Sequence, residues 1–265
     1  MNLASLIPLS EAAADHVIQL PHLNTWVVQG PPPNYPASSL PSVFPPLTQF
    51  GFGEAAGHGW LSLFQRLEDR ISATPSMTPL YRVKESLKSL SFDVPSTAPT
   101  INISFTSAIR MFRNLVDLDV RAHCHHGQCT FKLNDENIAE LSIALPLLER
   151  LHLGSPCSEN TCATTTACLL LISTHCLGMH DLKIHFNTTN IVGDLKNISV
   201  DPRFQELLLL PRCQLWYLEV SNIPLVLDES DFETVADGMR GIFPSLRMFS
   251  PSDPWGGLSK RLASL

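Results

Sequence analysis

The stretch AHCHHGQCTF, residues 122–131, crowds His123, Cys124, His125, His126 and Cys129 together. Imidazole nitrogen and thiolate sulfur are the ligands zinc prefers. A second pair, Cys157 and Cys162 in PCSENTC, repeats the spacing of Cys124 and Cys129. Zinc fingers use C-x2–4-C pairs, so both stand at the wide limit of that range. A zinc site at Cys124, Cys129, Cys157 and Cys162 would need four sulfurs to converge from two loops, about 4 Å apart or less. Neither loop has the tight composition of a zinc knuckle. The favoured expectation is small loop or buried thiols with no metal and no cofactor, and structural zinc is the alternative. Cys168, Cys176 and Cys213 fall in helix or pre-strand positions and are expected in the core.

Other chemistry is sparse. The phosphate-binding pattern G-x-x-x-x-G-K-S/T, the dinucleotide pattern G-x-G-x-x-G, the zinc-protease pattern H-E-x-x-H and the nucleophile elbow G-x-S-x-G do not occur. The chain is therefore not expected to be an enzyme. Its net charge of −7 and lack of a basic patch argue against nucleic acid. The longest apolar run, ACLLLI at Ala167–Ile172, is far too short to cross a bilayer. The first residues, MNLASLIPLSEAAAD, lack the basic region of a secretory signal. Seven cysteines, an odd number, do not suit a secreted disulfide scaffold. An intracellular chain, cytoplasmic or nuclear, with reduced thiols is expected. The sequons at Asn102, Asn187 and Asn197 then read as chance matches.

A repeat organises the rest. An apolar residue, two variable ones, then apolar, variable, apolar recurs as LNTWVV from Leu23, LTQFGF from Leu47, LKSLSF from Leu87 and LVDLDV from Leu115. It continues as LERLHL from Leu148, MHDLKI from Met179 and LWYLEV from Leu215, with a degenerate LRMF from Leu246. The last two apolar positions alternate with polar ones, the period of a half-buried strand. Between them the period becomes helical. Trp60, Phe64, Leu67 and Ile71 share one helical face, as do Ile138, Leu141 and Leu145, and Phe232, Val235, Met239 and Phe243. Asn134 or Asp135 is a suitable N-cap. Prolines in LPHL, FPPL, LPLL and FPSL stop the chain's helices before each return to strand.

The units start roughly 24 to 40 residues apart, enough for a helical crossover, which makes the sheet parallel. One unit alone cannot hide both its strand face and its helix stripe, but stacked units bury both. The expected architecture is α/β: a solenoid of about seven to eight irregular repeats, with a curved parallel sheet on the concave side and helices on the convex side. A single domain over residues 1–265 is expected, with loops near 30–45, 72–84 and 94–106. The concave face then carries the polar strand positions. These are Asp117, Asp119 and Arg121; Arg150 and His152; Asp181, Lys183 and His185; and Tyr217, Glu219 and Ser221. Thr25, Val27, Gln29 and Gln49 continue the face on the first strands. This face is the expected surface for a protein partner, with Tyr217 as an aromatic anchor beside Trp216.

The pattern L-x-x-L-x-L resembles the leucine-rich repeat. The segments FRNLVDLDVRAHCHHGQCTFKLNDENIAELSIALPLLERLHLGSPCSENTCATTTACLLLIS, GFGEAAGHGWLSLFQRLEDR and FETVADGMRGIFPSL resemble the repeat region of fungal F-box proteins. The likeness runs from about residue 17 to 250 and includes loop sequence as well as leucine spacing. It implies a substrate-recognition region of a cullin-type ubiquitin ligase. Only about sixteen residues precede the first unit, too few for the three helices of an F-box. The resemblance therefore covers the repeats alone, and docking on the ligase adaptor would require an F-box upstream. The alternatives are a structural or remnant repeat protein with no ligase role, or a zinc-stabilised repeat protein.

Overall fold

The structure is a computed structural model and describes residues 2–5, 25–28, 49–52, 85–94, 106–107, 109–122, 132–154, 163–220 and 228–249. Nine parallel strands form one sheet whose spatial order is the chain order. They are β1 (Asn2–Ser5), β2 (Thr25–Val28), β3 (Gln49–Phe52), β4 (Ser89–Val94), β5 (Asp117–Ala122), β6 (Arg150–Gly154), β7 (Asp181–Ile184), β8 (Tyr217–Val220) and β9 (Met248–Phe249). Each of the eight expected strand positions lies in this series. β1 is an addition, with the short segment NLAS.

A parallel neighbour must be reached by a crossover, and helices fill the described ones. α1 (Asp135–Ala144) joins β5 to β6, α2 (Ala167–His175) joins β6 to β7, α3 (Ile191–Val200) and α4 (Pro202–Leu208) join β7 to β8, and α5 (Glu229–Ile242) joins β8 to β9. α1 packs on α2, α2 on α3, α4 and α5, and α3 on α5. The architecture is α/β, with a parallel sheet and a helix layer.

The leucine spacing explains the core. Leu90, Leu118, Leu151, Leu182 and Leu218 stand in register across five strands, and all have no exposed surface. Val120, Leu153, Ile184 and Val220 form a second buried row. The leading residues Leu87, Leu115, Leu148, Met179, Leu215 and Leu246 are buried just before the strands. Each buried row faces the apolar helix stripes, with Ile138, Leu141 and Leu145 from α1 and Val235, Met239 and Phe243 from and after α5 in the same core. Fully burying a leucine side chain contributes about 2 kcal/mol, so the stacked rows are the main stabilising feature.

The same backbone device recurs at the entry to four strands. A tight turn closes from Leu115 N to Phe112 O, Leu148 N to Leu145 O, Met179 N to Cys176 O and Leu246 N to Phe243 O, at 3.0 to 3.2 Å. One carbonyl just before the preceding strand then accepts two successive amides. Val116 O accepts from Glu149 and Arg150, Glu149 O from His180 and Asp181, and Trp216 O from Arg247 and Met248. α1 and α5 end at Leu145 and Phe243, the residues before Pro146 and Pro244. The proline ring disfavours helical geometry in its predecessor, so the helix stops and the turn begins. α1 opens with a capping box in which Asn134 accepts from the Asn137 amide at 2.9 Å and its own amide donates to Asn137 Oδ1. This confirms Asn134 as the cap.

The expected helix near Trp60, the turns LPHL and FPPL, and the loops near 30–45, 72–84 and 94–106, apart from their edges at Val94 and Thr106, lie outside the described residues. Among the described residues no helix is long and apolar enough to cross a membrane.

Candidate functional site

Alternation along the strands leaves one face of the sheet polar. In β7 and β8 the buried residues alternate with partly exposed ones. Parallel sheets usually have both faces covered by helices. Here the face opposite the helix layer carries charge instead. Because paired residues point to the same side, the register arranges these side chains in rows. One row runs Ser89, Asp117, Arg150, Asp181, Tyr217, Met248. The next runs Ser91, Asp119, His152, Lys183, Glu219. Arg121 stands beside Gly154 in a third. By register, Thr25 and Gln49 extend the first row and Val27 the second.

The rows hold themselves in place. Asp117 accepts from Ser89 Oγ at 3.0 Å and from Arg150 Nε at 2.8 Å, and its second oxygen also bonds the Arg150 guanidinium. That bidentate geometry is the strong form of the Arg–carboxylate pair. The hydrogen bond to Asp117, reinforced by the charges of Asp117, Asp181 and Asp119, raises the Arg150 pKa above its ordinary value, against the opposing effect of burial. Arg121 donates to Asp119 through Nε at 3.1 Å and its terminal nitrogen at 2.6 Å. Lys183 Nζ meets Glu219 at 2.5 Å, and the Tyr217 hydroxyl donates to the other Glu219 oxygen at 3.1 Å. Opposite charges on neighbouring strands thus stabilise the register as well as the surface.

His152 occupies the middle. Its Nε2 lies 3.2 Å from Asp181 Oδ1 and its Nδ1 4.0 Å from Asp119. The Asp181 contact is not aligned as a hydrogen bond, and that buried oxygen has no hydrogen-bond partner among the described residues. A buried acceptor left unmatched is costly. At the β8–β9 end the surface turns apolar. Trp216 and Met248 are each about half exposed, and the Trp216 ring is 5.9 Å from the Tyr217 ring at a tilt of 46°.

Nine of the ten candidate partner residues fall on these rows: Asp117, Asp119, Arg121, Arg150, His152, Asp181, Lys183, Tyr217 and Glu219. His185 does not, and its expected place on the polar face is corrected. β7 ends at Ile184, and the chain then leaves the alternating path, so that Ile184, His185 and Phe186 are all fully buried. Neither His185 ring nitrogen has a hydrogen-bond partner among the described residues, and burial lowers its pKa to about 4. Ser221 and Gln29 lie outside the described residues. Ser89 and Met248 were missed, although LKSLSF and LRMF put them at the same pattern position as Asp117 and Tyr217.

The four cysteines of the possible zinc site, Cys124, Cys129, Cys157 and Cys162, lie outside the described residues. Among those described, no cluster of three or more His, Cys, Asp or Glu could hold a metal ion. Cys168, Cys176 and Cys213 are buried, as expected. Burial pushes the Cys176 and Cys213 thiols up to about 12 and about 11. No family model, curated protein or solved structure matches the chain.

Proposed function

We propose that the chain is a leucine-rich-repeat solenoid that binds a protein partner on the open face of its sheet. The observation that carries this reading is a parallel sheet whose second face bears charged rows, with no second helix layer among the described residues. Strictly sequential strand order and the turn that recurs before four of the strands support the solenoid. A concave sheet with convex helices is the form this repeat takes. The charged rows are preformed, so little side-chain entropy remains to be lost on binding. Trp216, Tyr217 and Met248 would supply the buried anchor, and the surrounding charges would steer and select.

Within that class we assign the chain to substrate recognition in an F-box-type ubiquitin ligase. The likeness of its repeats and loops to fungal F-box proteins supports this, and adaptor contact would require an F-box upstream of the repeats. The test is affinity capture with the wild-type chain against Tyr217→Ala and Lys183→Glu, followed by quantitative mass spectrometry. A specific partner should fall by about tenfold or more with either variant. Partners captured equally by all three proteins would rule out the open face. Ubiquitination of that partner that does not change when the full-length protein is depleted would rule out the ligase role while leaving the binding face intact.

A further inference from the structure

A second surface lies on the helix side, away from the charged rows. The segment 107–113 and the outer side of α1 enclose an open groove of about 630 Å³. Its apolar part comes from Met111, Ile143, Ala144 and Pro146. Ile143 is 60% exposed, although the opposite face of α1 is fully buried through Ile138 and Leu141. An exposed isoleucine on a well-packed helix contributes nothing to the core, and a groove around it is the form a binding site takes.

Two guanidiniums flank this apolar patch, those of Arg110 and Arg113, and both residues are exposed. Arg121, Arg150, Arg203 and Arg240 each hold an aspartate. Arg110 and Arg113 hold no carboxylate among the described residues. Glu140 lines the α1 wall of the same groove but makes no ion pair there. In a chain of net charge −7, this is a local concentration of unmatched positive charge. The groove is therefore polarised: cationic on the 107–113 wall, apolar around Met111 and Ile143, anionic on the α1 wall.

We propose that this groove docks an acidic, amphipathic protein segment. Carboxylates of the segment pair with Arg110 and Arg113, and one of its aliphatic or aromatic side chains covers Ile143 and Met111. Arginine suits this role because its planar fork matches a carboxylate in two bonds. Two guanidiniums in an acidic chain are too few for a nucleic-acid track. Glu140 sets direction, since it repels the acidic side of the occupant toward the arginine wall. The site is independent of the open sheet face.

The test uses the full chain and fluorescein-labelled peptides of about twelve residues, each carrying one Leu or Trp among Asp and Glu residues, read by fluorescence anisotropy. Measurable binding should weaken by about tenfold or more in the Arg110→Glu/Arg113→Glu double variant and also in Ile143→Asp. Replacing the peptide acids by Asn and Gln, or the apolar residue by Ser, should weaken it as strongly, and raising salt should weaken it further. Lys183→Glu, on the other face, should leave it unchanged. All the substituted residues are exposed or half-exposed, and circular dichroism of each variant confirms its folding. Binding that survives the arginine reversal, equal binding of the neutral peptide, or no binding at peptide concentrations up to about 1 mM overturns the proposal. Self-association of the chain that disappears in the double variant would also overturn it, in favour of a second copy as occupant.

Discussion

Replacing His185 by leucine isolates the one fully buried imidazole with no hydrogen-bond partner among the described residues. Burial lowers its pKa from an ordinary 6.5 to about 4. The unfolded chain takes up a proton near pH 6.5, while the folded chain resists until about pH 4. Stability is therefore fully present above pH 6.5, falls as the pH drops, and levels off below pH 4. At about 1.4 kcal/mol per pH unit, the full loss is about 3 kcal/mol, of which about 2 is gone by pH 5. Leucine cannot titrate, so His185→Leu should lose about 2 kcal/mol less than wild type between pH 7 and pH 5. At pH 7 it should also be more stable by about 1 kcal/mol, because two unmatched ring nitrogens leave the interior. Urea unfolding followed by circular dichroism at both pH values measures each quantity, with equal slopes in denaturant as the control. Contributions common to wild type and variant cancel in the difference. Equal losses in wild type and variant would refute the burial argument for His185.

Two glycines of α5 should behave oppositely. A methyl at Gly241 meets nothing within 4 Å, so Gly241→Ala should stabilise by about 1 kcal/mol through helix propensity alone. At Gly238 the methyl would come within 3.0 Å of three carbons of Leu195, so Gly238→Ala should lose that gain, and paired urea titrations check both. Asn134→Ala removes the capping box of α1 and should cost about 1 kcal/mol in the same assay. Cys176 and Cys213, with thiols pushed up to about 12 and about 11 in a fully buried setting, should escape iodoacetamide at pH 8 in the native protein and react after unfolding. Peptide mapping by mass spectrometry reads each site separately.

The strands were legible because one spacing carries both strand period and burial. Leu118, Leu151, Leu182 and Leu218 could be aligned by eye before any pairing was known, and the register joins those same residues. α1 was legible from its cap, stripe and following proline, and α5 from its stripe and following proline. α4 was not, because FQELLLLPR has leucines on every side, and Leu209 and Leu210 remain exposed. His185 misled for a related reason. Alternation predicts its side only while the chain stays extended, and the polar identity of the residue hid the bend after Ile184. Nothing in spacing announced the groove at Arg110 and Arg113, since it depends on two segments about thirty residues apart meeting across one crossover.

The open face draws its character from a conflict in the sequence itself. Residues such as Asp117, Asp119 and Asp181 are poor strand formers, and a parallel sheet pairs each with its counterpart in the next unit. Like charges in register would repel along the whole row. The observed order avoids this, setting Asp117 against Arg150 and Arg150 against Asp181, then Lys183 against Glu219. Surface pairs of this kind contribute little to stability, about 0 to 1 kcal/mol each. On the proposed reading, their greater effect would be to fix where each charge stands before a partner arrives. A partner that matched the order would meet a rigid pattern, and one that did not would leave Asp117 or Glu219 facing its own sign. On that same reading, specificity would follow from the register of the leucines beneath the face, so a substitution that slips one strand would alter recognition as well as packing.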